Sequence, residues 1–207
     1  MRTQIILVLV TCVLLAASML DPLFPEDQWL QHVPTVPLLL IILYGVRRCW
    51  WSTPAVICMV VFALLHILGA RFVYSCVPYD HWLQQCFGWS INQAMGWQRN
   101  HYDRLVHFLF GILMVLPLAE LFARRNCICP AEVVFVAVSV TAAASGLYEV
   151  LEWLASVVMS PEQGTTFNGQ QGDFWDAQKD MALAFAGSVI AAAVVWRRIK
   201  TCATSST

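Results

Sequence analysis

The chain has 207 residues, of which 59% are hydrophobic and only 12% charged, and its mean hydropathy is +0.64. A soluble domain usually carries about 25% charged residues, so the composition points instead to several membrane spans. The net charge is -1 and there is no long basic tract, which leaves nucleic-acid binding without an electrostatic footprint.

In chain order, six apolar segments emerge, at residues 4–20, 33–46, 53–74, 102–122, 131–158 and 176–196. A span needs about 20 residues, so the second is short, and Pro34 and Pro37 at its start allow a re-entrant alternative. Basic residues decide between the two. Arg2 precedes the first span, Arg47 and Arg48 follow the second, Arg124 and Arg125 the fourth, and Arg197, Arg198 and Lys200 the sixth. These alternate connections predict six crossings with both termini cytoplasmic. The expected fold is an all-α polytopic membrane helix bundle, a single integral membrane domain over residues 1–207. Arg2, the apolar run and Ala16-Ala17-Ser18 also resemble a signal peptide, so cleavage of the first segment stays open beside its retention as a span.

Tryptophans at Trp29, Trp82, Trp89, Trp97, Trp153 and Trp175 map to the outer interface, and Trp50, Trp51 and Trp196 to the inner one. The eight cysteines are scattered. Cys127 and Cys129 lack the second pair that a zinc site needs. Cys76 and Cys86 share the long outer loop, where a disulfide is chemically permitted.

With this orientation eleven of the thirteen acids lie in the outer half, Glu120 and Glu132 being the exceptions, and all five histidines lie there too. Several fall inside apolar helices, where an ionisable group is costly and is expected to face the bundle interior. Asp103 and His107 are four apart on one face of the fourth span, Glu149 and Glu152 three apart near the end of the fifth, and Asp176 and Asp180 four apart at the start of the sixth. Three antiparallel helices thereby bring these groups to one depth, with Arg99, Arg104 and Lys179 as partial compensation. Small residues at Ala142, Ser145, Gly146, Ala184 and Gly187 predict close helix packing around them. His66 shares the depth. The loop 163–173, with three glycines and several amides, is either a polar turn or a cover over a site.

The string Arg99-Asn100-His101-Tyr102-Asp103-Arg104-Leu105-Val106-His107-Phe108 resembles the YjdF-type inner-membrane proteins, a bacterial family of unknown function. The likeness continues through Leu65-His66-x-x-Gly69-Ala70, Tyr148-Glu149-x-x-Glu152-Trp153 and Gln171-Gly172-Asp173-x-Trp175-Asp176-x-Gln178-x-Asp180-Met181. It departs at Asn168 and Gln170, where a leucine and a threonine are expected. VanZ-like membrane proteins are more distantly similar. The resemblance implies the bacterial inner membrane as location and supplies candidate positions without a reaction.

Asp103, His107, Glu149, Glu152, Asp176 and Asp180 are therefore the candidate catalytic groups and the candidate ligands of a divalent metal ion. His66, Arg104, Gln171, Asp173 and Gln178 are candidate substrate contacts. The leading expectation is an outward-facing site acting on a lipid or envelope precursor within the lipid bilayer. A proton-coupled transporter and a structural or sensor protein with a buried polar network are the alternatives.

Overall fold

A computed structural model describes residues 1–124, 129–160, 164, 167 and 169–204. Arg125, Cys127, Glu162, Gln163, Thr165, Thr166, Asn168 and the end of the tail from residue 205 lie outside the described residues. Helices dominate: α1 (Arg2–Ser18), α2 (Pro25–Gln31), α3 (Thr35–Arg47), α4 (Thr53–Arg71), α5 (Tyr79–Phe87), α6 (Ile91–Met95), α7 (Tyr102–Ala123), α8 (Pro130–Val158) and α9 (Asp176–Thr204). Five stretches are long and apolar enough to cross a membrane: Pro25–Arg47, Thr53–Arg71, Tyr102–Ala123, Pro130–Val158 and Asp176–Arg198. Helix α1, at 17 residues, is a shorter apolar helix beside them.

The second crossing starts earlier than the apolar run suggests. Pro25 occupies the first turn of α2, where its missing N–H costs nothing, and Glu26 and Asp27 complement the helix dipole there. A tight turn then links α2 to α3, with His32 N–H donating to both Gln28 and Trp29 carbonyls and Thr35 N–H to His32. Pro34 and Pro37 cannot donate, which accounts for the break. Counted from Pro25, the segment covers 23 residues, enough for a full crossing.

The connection between α4 and α7, a loop on sequence grounds, folds into α5 and α6. Asp80 ties them together by accepting from Ser90 Oγ (2.7 Å) and Asn92 N–H (3.0 Å). Cys76 and Cys86 are both free and exposed, so the permitted disulfide is not formed.

Helix α7 is the centre of the bundle and packs against α4, α8 and α9. One apolar core joins α1, α3, α4 and α7 through Val8, Ile42, Val56, Ala63 and Met114. A second joins α7, α8 and α9 through Val115, Ala119, Val133, Ala137 and Val195. At one end of the bundle, Glu120 on α7 accepts from Ser52 N–H (2.7 Å) and Ser52 Oγ (2.6 Å) and pairs with Arg198 on α9 (3.3 Å). There too Gln4 Nε2 donates to Trp51 O (3.1 Å) and Trp51 Nε1 to Pro117 O (2.9 Å). The beginning of α1 and the far part of α9 therefore share that end. At the opposite end Arg71 donates to the Ser18 (2.5 Å) and Leu20 (3.0 Å) carbonyls, closing α1 onto α4.

The contact that fixes the site is backbone against backbone. A Cβ on Gly111 would stand 2.0 Å from the Ala184 carbonyl oxygen, and one on Gly187 2.2 Å from the Phe108 oxygen. Helices α7 and α9 thus cross where neither has a side chain, the arrangement that membrane helices use to gain van der Waals contact. About two to three turns from these glycines toward the acidic end, that closeness puts Asp103 beside Asp176 and Asp180.

Candidate functional site

The first turns of α7 and α9 and the last turns of α8 enclose a cavity of about 290 Å³ whose walls include Asp103, Glu149, Glu152, Asp176 and Asp180. Carboxylate oxygens of Asp103, Asp176 and Asp180 lie within 4.8 Å of one another, one from each side chain. His107 bridges toward α8, its Nε2 standing 3.1 Å from Glu149 Oε1 and 3.7 Å from Asp103 Oδ1. Its Nδ1 is 3.4 Å from Ser145 Oγ, which orients the ring. All six groups that helical spacing singled out come to one place.

Two layers of charge can be distinguished. At the rim, Arg99 grips Asp176 with two nitrogens (2.6 and 3.1 Å), and Arg104 reaches Asp176 (3.0 Å) and Asp173 (2.5 Å). Lys179 adds a third cation, 2.6 Å from Asp173. These contacts hold the Asp173 carboxyl well below the usual carboxylate range, the Lys179 hydrogen bond contributing most, followed by the Trp175 N–H. Deeper, Asp103, Asp180, Glu149 and Glu152 face one another with His107 as the neighbouring base. Asp180 is 2% exposed, and its Oδ1 is buried without a hydrogen-bond partner. Glu149 Oε1 is likewise buried and lacks hydrogen-bond geometry despite its nearness to His107.

The remaining candidates divide. Arg104 and Asp173 belong to the rim, and Gln178 lines the cavity from an exposed position. Gln171 does not face the cavity. Its side chain accepts from Asn100 N–H (2.8 Å) and donates to Asn100 O (3.0 Å), clamping the loop before α7 to the turn before α9. His66 stands in a neighbouring apolar cavity of about 260 Å³, which shares Asp103 with the acidic one and is also lined by His107. Both ring nitrogens of His66 are engaged, one with the Tyr74 hydroxyl and one with Gln31 O (3.0 Å). Tyr74 and Gln31 were not singled out by sequence reasoning. Tyr74 reaches the cavity because the chain leaves α4 through left-handed turns at Val73 and Tyr74, for which a tyrosine gives no sequence signal.

Residues 3–201 match the family described as predicted membrane protein (DUF2238). The chain belongs to that family. The chain is similar to the inner membrane protein YjdF of Escherichia coli (strain K12), at 30% identity over 163 residues, which cover 78% of this chain and 74% of that protein. No solved structure matches. This DUF2238 chain is accordingly an all-helical, multi-pass inner-membrane protein, and the expected YjdF-type resemblance is borne out.

Proposed function

We propose that this protein is a divalent-metal-dependent membrane enzyme acting on a lipid or envelope precursor, with Asp103, Asp176 and Asp180 as metal ligands. The observation that carries the reading is the buried, unpartnered Asp180 Oδ1 directed into a cavity with two further carboxylates in reach. Carboxylates about 4.8 Å apart repel by about 3 kcal/mol per pair at an effective dielectric near 20, and a divalent cation converts that repulsion into ligation. Hard oxygen donors suit magnesium, manganese or calcium, and His107 at the edge would widen the choice to zinc. Asp176 can still take part. A carboxylate offers about four acceptor positions, and Arg99 and Arg104 use three of them.

In this reading Glu149 and His107 form the acid–base pair, 3.1 Å apart and one wall away from the metal ligands. Glu152 completes the acidic wall, and Arg99 and Arg104 position Asp176. The orientation is part of the proposal. Arg47, Arg48, Arg124, Arg197 and Arg198 belong to the Glu120 end, which the positive-inside rule assigns to the cytoplasm, so the carboxylates face outward.

Two observations weigh against the alternatives. A transport path to Glu120 would have to pass Val115, Ala119, Ala137 and Val195, a buried apolar layer. A purely structural network would leave its buried oxygens satisfied, unlike Asp180 and Glu149. The test is metal analysis of the detergent-purified protein beside Asp180→Asn and Glu149→Gln. A stoichiometric divalent ion in the wild type, lost in Asp180→Asn and retained in Glu149→Gln, is the expected result. No ion in the wild type, together with no thermal stabilisation by added manganese or magnesium, would overturn it.

A further inference from the structure

The apolar cavity beside the carboxylates has walls from four helices, including Leu38 on α3, Phe62 on α4, Phe110 on α7 and Ala144 on α8. Its polar members away from the acidic cavity are already engaged. His66 spends both nitrogens, and the Tyr148 hydroxyl donates to Gln31 Oε1 (3.1 Å). Such a space offers little to water or to a polar ligand, because a buried water needs two to four polar partners. Hydrocarbon suits it.

The packing of the helices shows from which side hydrocarbon would arrive. Helix α3 packs along α1 and α4, whereas α8 packs along α7 and α9. Among the described residues, the α3 and α8 walls thus face each other across the cavity rather than through a packed seam. Pro34 and Ala144, one on each side of this gap, are both cavity-lining and exposed. Beyond them the bundle surface is apolar, with Val36, Leu40, Leu147 and Leu151 exposed in the position of bilayer-facing residues. The Tyr148–Gln31 hydrogen bond joins α8 to α2 above the gap.

We propose that the gap between α3 and α8 is a lateral portal, through which one hydrocarbon chain of a bilayer lipid enters the apolar cavity while its polar head rests at Asp103. The inference rests on the enzymatic reading and names the substrate class as a membrane lipid recognised by chain and head together. Asp103, which lines both cavities, stands at the junction where head and chain meet, with His107 of the apolar cavity 3.7 Å from it.

The test reconstitutes the full chain in phosphatidylethanolamine and phosphatidylglycerol vesicles containing phosphatidylglycerol with a diazirine on one acyl chain. After illumination, crosslinked residues are mapped by mass spectrometry. Crosslinks at Leu38, Phe62 or Phe110, in addition to bilayer-facing Leu40 and Leu151, are expected, with the cavity set lost in Ala144→Trp and the surface set unchanged. Crosslinks confined to the surface set in the wild type would overturn the portal, whether or not the variant folds. Metal analysis on the same preparations separates the two readings. Cavity labelling without any bound ion would sink the metal site and leave the portal standing, and an ion without cavity labelling would do the reverse.

Discussion

Asp180 and Asp173 illustrate how two acids seven residues apart can be given different work. Asp173 sits at the rim under Arg104 and Lys179, and its charge is fully compensated. Because its folded carboxyl titrates below the ordinary value of about 3.9, the unfolded chain binds the proton first as pH falls. The stabilisation is therefore present above that value and lost as pH drops further toward the folded value. Asp173→Asn should melt at lower temperature than the wild type at neutral pH, and the difference should shrink below about pH 4. Thermal unfolding in detergent across pH reads both arms, and a difference that does not change with pH would disprove the assignment. Asp180 has no such compensation. Its replacement by asparagine should raise metal-free stability by removing a buried repulsive charge, while abolishing stabilisation by added manganese, and a melting series with and without the ion would show it.

At the scale of the elements, the crossing of α7 and α9 sets how closely the carboxylates approach. Gly187→Ala adds one methyl group where the Phe108 carbonyl oxygen already stands 2.2 Å from the added atom, so a backbone must move. Overpacking of this kind costs about 1–3 kcal/mol, and the separation should also weaken metal binding. The control is Gly146→Ala, whose nearest neighbour is the flexible Met181 sulfur at 3.4 Å and which should be tolerated. Equal losses of melting temperature in the two variants would contradict the argument. The proline-rich entry to α3 carries the opposite lesson. Pro34 and Pro37 mark a real break in the helix, yet the crossing continues on its far side as α2 because Gln28 and Gln31 find buried places there. Gln28 Nε2, for example, donates to the Ser18 carbonyl (2.8 Å).

For the whole molecule, orientation is testable with the thiols already present. Cys76 and Cys86 lie at the acidic end and Cys49 and Cys129 at the end of Glu120 and Arg198, all four free and exposed. A membrane-impermeant maleimide applied to the outside of intact cells made permeable only at the outer membrane should label the first pair and spare the second. The reverse pattern would place the carboxylates in the cytoplasm and remove the envelope reading with them. Glu120→Gln, far from the carboxylates and across the apolar layer, should leave metal content unchanged.

The sequence by itself determined the helices and which acids lie in them. Hydropathy and helical period are local properties, and Asp103/His107, Glu149/Glu152 and Asp176/Asp180 each share a helix face whatever that helix packs against. It also revealed the cost of such groups in an apolar span, and hence that they must turn inward. Only the tertiary structure decided which acids are paired and which are left over. That division depends on where Arg99 and Arg104 reach across 69 to 77 residues of chain, with Lys179 turning back from α9 onto Asp173, and helical spacing carries no information about the long-range contacts. The apolar cavity was equally invisible, since a gap between α3 and α8 is a property of how two helices fail to meet and belongs to neither sequence segment.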